Sequence, residues 1–276
     1  MTSFLFWNLN NNESTFPLIS DIAEENNIDI ILLAESTKNI ANLLKEINKK
    51  QSNYYFYTTS NCEKILVLIN LNSQNYSRPI SESNRFTIRH LKLPNSIDIL
   101  LAATHHISKD SYDESSQTME AIKLSNEIKY AEITVGHSRT VLVGDLNMNP
   151  FEKGIVNAAA LHAISSKKIA QGEKRTVQGT EYPFFYNPMW NFLGDELMTP
   201  PGTYYYPSSG HLSFFWNTFD QVLIRPSLLD RFKVENLKIV VETKTHSLLS
   251  ERKGIPKKRP FSDHLPIVFS LDLAAV

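Results

Sequence analysis

The segment Arg139–Pro150 constrains the fold more than any other part of the sequence. It begins with the apolar, β-branched run Val141–Val143, which is typical of a buried strand. Gly144 follows and would free the backbone to turn, and Asp145 and Asn147 come next with one apolar residue between them. Alternation along an extended segment directs both polar side chains the same way. Ligands bind at the carboxyl ends of strands in open α/β sheets, so the pair either orients a water and a phosphate oxygen or forms an ordinary polar turn.

Apolar runs of similar character recur along the chain and alternate with helical patterns near its start. Strand-like runs cover residues 3–7, 28–34, 54–57, 65–70, 86–93, 97–104, 218–224, 232–241 and 261–269. Helical patterns begin at residue 14 or 15 and cover 37–50 and 113–135. Thr37 is the expected cap of the second helix. Strand–helix–strand–helix order predicts a layered α/β fold, and since no linker or repeat divides the sequence, we expect residues 1–276 to form one domain.

Polar side chains that can bind metal or take part in catalysis stand at one end of several of these runs. The residues are Asn8, Glu35, His105, Asp145, Asn147, Asp220, Asp263 and His264. Singly, such a residue is more often a surface or capping residue. Their order is more informative: Trp-Asn, Glu after an apolar run, Thr-His, Gly-Asp-Leu-Asn, Phe-Asp-Gln-Val-Leu-Ile and Ser-Asp-His-Leu-Pro-Ile. This order resembles the endonuclease/exonuclease/phosphatase superfamily, and the motifs span residues 8–266.

The resemblance implies a fold and a reaction class. The superfamily includes DNase I, AP endonucleases, sphingomyelinases and inositol-polyphosphate 5-phosphatases, and its members have two packed, mixed β-sheets flanked by helices. We therefore expect a DNase I-like α/β/β/α sandwich of four layers. The implied activity is metal-assisted hydrolysis of phosphate esters, which requires neutralised phosphate oxygens, an activated water and a protonated leaving oxygen.

The metal site is also implied by resemblance. Glu35 would be the principal ligand of Mg²⁺, for which Mn²⁺ could substitute, and Asp263 would lie near the ion. Mg²⁺ prefers oxygen ligands, usually one or two carboxylates plus waters and phosphate. The sequence has Asn10 where AP endonucleases carry a metal-binding Asp, and Ala34 where Gln is usual before the glutamate. The first difference weakens a two-carboxylate site near the first strand and argues against an AP-specific role.

The remaining motifs supply the expected catalytic groups. His264 would act directly on the phosphate, with Asp220 fixing its tautomer and favouring the imidazolium. Asp145 would orient or deprotonate the attacking water. Asn147 and Asn8 would donate hydrogen bonds to phosphate oxygens.

A second histidine of the family matches His105, although His106 follows it and either could face the cleft. In DNase-like members this histidine contacts a glutamate from an earlier strand. Glu63 stands at the matching place, just before an apolar run. It is therefore predicted to contact His105 and to help bind substrate.

The charge pattern bears on the substrate. The formal net charge is −1, so only a local patch could hold a polyanion. Lys257, Lys258 and Arg259 lie just before Asp263 and could form that patch, although a basic loop is equally typical of a solvated surface. A single cysteine, no signal peptide and no apolar run of membrane length favour the cytoplasm.

Three functions stay open. The sequence favours a Mg²⁺-dependent nuclease acting on DNA or RNA, because basic segments lie near the site and aromatic residues could stack on unpaired bases. The alternative is a phosphatase or phosphodiesterase for a small-molecule or lipid phosphate, such as an inositol phosphate, with the aromatic region 181–216 as a lid or apolar channel. A non-catalytic binding module is least expected, since it would need neither an Asp–His pair nor a metal carboxylate. Endonuclease or exonuclease action and oligomeric state stay open.

Overall fold

The computed structural model describes residues 1–50, 53–70, 76–93, 95–194 and 199–275. In these residues the strands are β1 (Thr2–Asn8), β2 (Ile30–Ala34), β3 (Tyr55–Tyr57), β4 (Ile65–Ile69), β5 (Tyr76–Ser83), β6 (Phe86–Leu91), β7 (Ile99–His105), β8 (Thr140–Asp145), β9 (Ala163–Ile164), β10 (Lys174–Val177), β11 (Thr180–Pro183), β12 (Phe185–Tyr186), β13 (Tyr204–Tyr206), β14 (Phe215–Asn217), β15 (Asp220–Ile224), β16 (Lys238–Ile239) and β17 (Ile267–Leu271). The α-helices are α1 (Phe16–Glu25), α2 (Ile40–Ile47), α3 (Glu114–Val135), α4 (Lys153–Val156) and α5 (Lys167–Ala170). Short 3₁₀ helices cover Glu13–Thr15, Pro188–Phe192, Pro226–Leu228 and Val234–Asn236.

Two mixed sheets contain most of these strands. The first has the order β16-β17-β1-β2-β4-β3 and the second the order β5-β6-β7-β8-β15-β12-β9. Near the middle of each sheet lies a parallel pair, β1 with β2 in the first and β7 with β8 in the second. The hairpins β10-β11 and β13-β14 form separate two-stranded ribbons.

Alternation along β8 shows how the layers form. Val141 and Val143 belong to the large core that also contains the strands of the first sheet and the buried residues of α1 and α2. Leu142, between them, belongs to a second core with Ile128 of α3. Because successive side chains of a strand point to opposite faces, β8 is covered by a sheet on one side and by a helix on the other. The predicted α/β/β/α sandwich of the DNase I-like fold is confirmed.

The long helix α3 is also as predicted. The side chain of Asp113 caps its first turn by accepting a hydrogen bond from the Ser116 amide at 2.7 Å. The helix ends at Gly136, whose φ of 77° is the left-handed conformation favoured after a helix. No helix in the described part of the chain is long and apolar enough to cross a membrane.

Three expectations about local structure were wrong. Helix α2 is capped by Asn39, which accepts from the Asn42 amide, and not by Thr37. The predicted strand 232–241 is mostly a 3₁₀ turn followed by the two residues of β16, because polar residues interrupt its apolar pattern. Strand β5 was not predicted, since it is rich in serine, contains Pro79 and has two register shifts against β6.

The last strand also begins later than expected. Residues 262–264 form a bend in which the His264 amide donates to Ser262 Oγ at 3.1 Å, and β17 begins only at Ile267. The hydroxyl of Ser262 in turn donates to the main-chain oxygen of Asn8 at 2.7 Å. This bend therefore fixes the Ser-Asp-His segment against the carboxyl end of β1.

Candidate active site

Three site residues occupy one cross-strand row at the carboxyl ends of β7 and β8. Asp145 is paired with His105 on the parallel side and with Asp220 on the antiparallel side. Gly144, one residue earlier, lies within β8 and does not form the expected turn. A Cβ atom at Gly144 would lie 2.0 Å from the carbonyl oxygen of Thr104, so this glycine is required by the close approach of β7.

Asn8 links the two sheets at this edge. Its buried amide donates to Asp145 Oδ2 at 2.9 Å and to Glu35 Oε1 at 3.3 Å, while its carbonyl oxygen accepts from the Asn10 amide. Sequence analysis assigned this amide to phosphate oxygens, but both of its donor hydrogens face carboxylates. Asn8 therefore holds Asp145 and Glu35 together across the gap between the sheets.

Glu35 follows β2 in an unusual backbone conformation. Its φ is 46°, in the left-handed region that a residue with a Cβ rarely adopts. Its carboxylate accepts from Asn8 and, at 3.2 Å, from the Asn11 amide group. Backbone strain of this kind persists where the surroundings over-determine it, commonly at functional sites.

The two adjacent histidines both line the cleft, but their rings have different surroundings. His105 Nε2 lies 3.3 Å from Glu35 and 3.7 Å from Asp145, so this ring faces the carboxylates. His106 is buried, neither of its ring nitrogens has a hydrogen-bond partner, and burial lowers its pKa to about 4. His106 therefore stays neutral at physiological pH.

Asp145 and Asn147 both line the cleft, as predicted. The Asn147 amide N–H donates to Asp145 Oδ1 at 2.9 Å, and its side chain donates to the main-chain oxygen of His106 at 3.1 Å. Asn147 has a φ of 51°, so the chain turns here and does not continue as the expected extended segment. The turn leaves Leu146 fully buried, as the alternation predicted.

The predicted contact between Asp220 and His264 is present. Their Oδ2 and Nδ1 atoms are 2.8 Å apart, and Asp220 is fully buried. The other ring nitrogen, Nε2, lies 3.9 Å from Asp145 Oδ2. The ring of Tyr204 covers the imidazole, with centroids 4.7 Å apart. The pair thus presents one nitrogen to the cleft while the other is held by a buried carboxylate.

The electrostatics of this pair favour a charged imidazole. Burial alone would lower the pKa of His264, but the charges of Asp220 and Asp145 and the hydrogen bond from Asp220 raise it to about 10. Burial raises the pKa of Asp220, and the charge of His264 counteracts that rise. We conclude that His264 is an imidazolium at neutral pH, because a buried carboxylate with no counter-charge would be costly.

The basic loop contributes one residue to the cleft. Lys258 lines it and pairs with Asp263 at 2.9 Å, whereas Lys257 and Arg259 are not among its lining residues. Asp263, predicted to lie near the metal, also lines the cleft, and its Oδ2 atom is the one that contacts Lys258.

The expected contact of Glu63 with His105 is not formed. Glu63 is exposed and lines a separate pocket beside Cys62. The bend before β4 carries Lys64, and not Glu63, into the main cleft. The imidazole of His105 takes Glu35 as its acidic neighbour instead.

The cleft has a volume of about 680 Å³, within the range of ligand sites. Its lining includes Tyr204, Tyr206, Leu212 and Phe214 from the aromatic region 181–216, which the sequence offered as a lid or apolar channel. Further lining residues that were not predicted for the site include Lys64, Arg85, Lys109 and Phe219. The Tyr204 ring also stacks on Phe219, with centroids 5.3 Å apart. The tyrosine run 204–206 was a visible signal, but no local pattern distinguishes the cleft-facing lysines from solvated ones.

The donors of the cleft fit a hard divalent cation. Glu35 keeps 28% side-chain exposure and faces the cleft close to Asp145 and Asn8, so the oxygen ligands that Mg²⁺ prefers converge there. Asp145, Asp220 and His264 also have ligand atoms within 4.8 Å of one another. Since Asp220 is fully buried and held by His264, these three are better suited to holding a proton, and Glu35 is the residue that could hold an ion.

A two-sheet sandwich with these carboxylates and an Asp–His pair in one cleft defines a hydrolase of phosphate esters. The chain belongs to the Endonuclease/Exonuclease/phosphatase family, whose model matches residues 5–264. Enzymes of this family are metal-dependent phosphodiesterases and nucleases, and this chain is a phosphoester hydrolase of that kind. A search of the curated proteins found no significant match.

Solved structures with the same fold share little sequence with this chain. An AP endonuclease from Archaeoglobus fulgidus is 14% identical, with a TM-score of 0.57 over 99% of this chain and 100% of the other. A truncated Caenorhabditis elegans TDP2 is 16% identical, with a TM-score of 0.58 over 98% and 96%. The 3′ phosphatase NExo from Neisseria, bound to a product DNA hairpin, is 12% identical, with a TM-score of 0.54 over 99% and 100%. At these identities the likeness concerns the fold alone.

Proposed function

We propose that this protein is a Mg²⁺-dependent nuclease, formed by residues 1–276 as one domain, that hydrolyses phosphodiester bonds of DNA. The observation that carries the proposal is the buried Asp220–His264 pair. This pair presents His264 Nε2 to the cleft, where the atom lies 3.9 Å from Asp145 Oδ2. A charged imidazole next to a carboxylate offers both a phosphate-binding cation and a base in one place.

Asp145 is the proposed base. Asn8 and the Asn147 amide N–H hold its two oxygens, so the carboxylate is oriented before substrate arrives. It takes a proton from water as the water oxygen forms its bond to phosphorus and the bond to the leaving oxygen breaks. The leaving oxygen departs as an alkoxide and takes a proton from solvent water. The imidazolium of His264 stabilises the charge that develops on the phosphate oxygens.

Glu35 is the proposed metal ligand. A bound Mg²⁺ would supply further positive charge to the phosphate oxygens. Without an ion, the carboxylate of Glu35 is held in position by three neighbours: Asn8, Asn11 and His105. Asp263 lines the same cleft and could lie near the ion, with Lys258 paired to one of its two carboxylate oxygens.

A nucleic-acid substrate is supported by the cations of the cleft, Lys64, Arg85, Lys109 and Lys258. Among structures of this fold, the Neisseria 3′ phosphatase is bound to a product DNA hairpin, and a D. rerio TDP2 is complexed with single-stranded DNA product. The second candidate, hydrolysis of a small-molecule or lipid phosphate, is favoured by the apolar side chains of Leu212 and Phe214 in the same cleft.

The test is a substrate panel with matched variants. Purified protein is incubated with Mg²⁺ or Mn²⁺ and plasmid DNA, single-stranded DNA, RNA, inositol phosphates or phospholipid vesicles. We expect cleavage of DNA that EDTA abolishes and that Glu35→Ala and His264→Ala greatly reduce, while Glu63→Ala retains it. Full activity in EDTA would rule out the metal-dependent mechanism. Activity confined to inositol phosphates or lipids would replace the nuclease with the second candidate.

A further inference from the structure

The hairpin β13-β14 places an apolar tip beside the cleft. Leu212 is 75% exposed, Phe214 48% and Phe215 51%, and both Leu212 and Phe214 line the cleft. The base of the hairpin is anchored, because Tyr204 pairs with Asn217 and the Tyr205 ring meets Trp216 edge-on at 5.4 Å. Exposed aromatic and aliphatic side chains grouped at the rim of a catalytic cleft indicate a contact surface.

The tip is held in a strained turn. The Trp216 amide donates to the Phe214 carbonyl oxygen at 2.7 Å, which closes a three-residue turn. Phe215, at its centre, has a φ of 58°, so the turn belongs to the rare, strained γ type. A relaxed extended strand would alternate its side chains between the two faces. The turn instead leaves the neighbouring rings of Phe214 and Phe215 both exposed at the tip.

Phe214 is also supported from behind. Its ring meets Phe151 with centroids 5.3 Å apart, and Phe151 meets Trp190 at 6.4 Å, both at steep interplanar angles. Phe151 directly follows the Gly-Asp-Leu-Asn-Met-Asn-Pro segment that carries the proposed base Asp145. The Phe214 ring therefore packs against the residue that directly follows the segment carrying the proposed base.

We propose that Phe214, with Leu212 beside it, stacks on an unpaired nucleobase adjacent to the scissile phosphate, so that the enzyme prefers single-stranded nucleic acid. The inference rests on the proposed nuclease function and names its substrate class. A base in a duplex is stacked on both faces and cannot reach this ring without being unstacked. A nucleobase suits the site better than a lipid chain, because the same cleft carries Lys64, Arg85, Lys109 and Lys258.

The test is a base-deletion cycle. Wild type, Phe214→Ala and Phe214→Trp are assayed on a single-stranded oligonucleotide and on oligonucleotides in which one base next to the cleaved bond is replaced by a baseless sugar. Tyr130→Ala, which removes an exposed aromatic ring on α3 outside the lining of the cleft, is the matched control. We expect Phe214→Ala to lower kcat/KM about tenfold on the complete strand, mainly through KM, and very little on one baseless strand. Phe214→Trp should restore the wild-type value.

Equal loss on complete and baseless strands would overturn the proposal, since the hairpin would then have only a structural role. A loss that is just as large on duplex DNA, or a loss confined to lipid phosphates, would also overturn it. A binding experiment tests the base site separately from the nuclease function. Binding of the single strand to the His264→Ala protein is measured by fluorescence anisotropy with and without the second substitution Phe214→Ala. If binding depends on Phe214 but the wild type cleaves no nucleic acid, the nuclease function is wrong and the base site is kept. If binding depends neither on the base nor on Phe214, the base site alone is wrong.

Discussion

Two Asp–His assemblies lie at opposite ends of the parallel pair β7–β8, and they differ in what surrounds the carboxylate. At the carboxyl ends, Asp220 is fully buried and has His264 as its cationic neighbour. At the amino ends, Asp98 is partly exposed and meets the Nε2 atoms of His90 at 2.6 Å and His137 at 3.2 Å. Aspartate and histidine are thus in contact at both ends of the same strand pair.

The difference lies in an arginine. The guanidinium of Arg139 pairs with Asp98, and its Nε donates to the main-chain oxygen of that residue at 2.7 Å. Partial burial would raise the pKa of Asp98, but hydrogen bonds from His90 and Arg139 lower it well below its usual range. The pKa of His137 is lowered by burial and by the charge of Arg139, the opposite of the change at His264. The pKa of His264 rises because this histidine faces a buried carboxylate without an arginine beside it among the described residues, whereas the pKa of His137 falls where Arg139 already neutralises Asp98.

The largest expected effect is a loss of activity when the Asp220–His264 assembly is changed, with almost no loss when the Asp98 assembly is changed. His264→Ala should lower kcat at least about 10²-fold, the usual scale for a positioned acid–base group. Asp220→Ala should disable the same unit, so the double variant should lose much less than the sum of the two losses in free energy. Asp98→Asn should leave kcat within about twofold. Steady-state kinetics on a cleavable oligonucleotide measures all four proteins, and strictly additive losses would contradict the pairing.

The next effect concerns pH. The pKa of His264 is raised to about 10, so activity that needs the imidazolium should persist until the pH rises through that value. The associated stability is fully present below the unfolded value of about 6.5 and is lost as the pH rises through about 10. Asp220→Asn removes the main charge that raises this pKa, so the alkaline limb of the kcat profile should move to lower pH. If the alkaline limb of the kcat profile does not move in Asp220→Asn, the limb reports the ionisation of a group other than His264.

A smaller effect is expected in stability at the other end of the sheet. Asp98→Asn should lower the free energy of unfolding by about 1 kcal/mol, because charge-assisted hydrogen bonds are lost but the carboxylate is partly exposed. The contribution of a carboxylate with a lowered pKa is present above its unfolded value of about 3.9 and is lost as the pH falls below it. Urea unfolding at pH 7 and pH 3 should show the difference between wild type and variant shrinking in acid. A constant difference would mean that ionisation of Asp98 contributes nothing.

The smallest effect tests the basic loop. Lys258→Ala should raise KM severalfold with little change in kcat and should reduce the salt slope of DNA binding by about one ion. Lys257→Ala, one residue away and outside the lining of the cleft, is the control and should change neither. Equal KM values and equal salt slopes for the two variants would mean that Lys258 is a solvated surface residue that does not contact DNA.

The apolar runs predicted a layered α/β fold, because buried strands have a plain apolar pattern, and the family resemblance predicted the four-layered sandwich and most residues of the cleft. Asp145 follows its run by one residue and Glu35 follows Ala34, so their place at a sheet edge depends only on local structure. The contact between His264 and Asp220 came from the resemblance, since nothing local brings these two residues together.

The remaining features depend on tertiary packing that no local pattern encodes. The amide of Asn8 faces two carboxylates because two different sheets meet there. The bend before β4 selects Lys64 over Glu63. The aromatic region 181–216 was expected as a lid or apolar channel, but the pairing of β13 with β14 that brings its side chains to the cleft was not predicted.

The cross-strand row of His105, Asp145 and Asp220 has a consequence for how this enzyme can change. The spacing within the row is set by backbone register, so it comes in whole residue steps of about 3.3 Å along the strand and cannot be adjusted gradually. Inserting one residue into β8 would turn Asp145 to the opposite face, and inserting two would restore the face but move the carboxylate a full pleat repeat away from both neighbours. Sequence drift in this chain can therefore proceed by substitution in the strands, whereas length variation is confined to the loops, such as the hairpin that contacts substrate in our proposal.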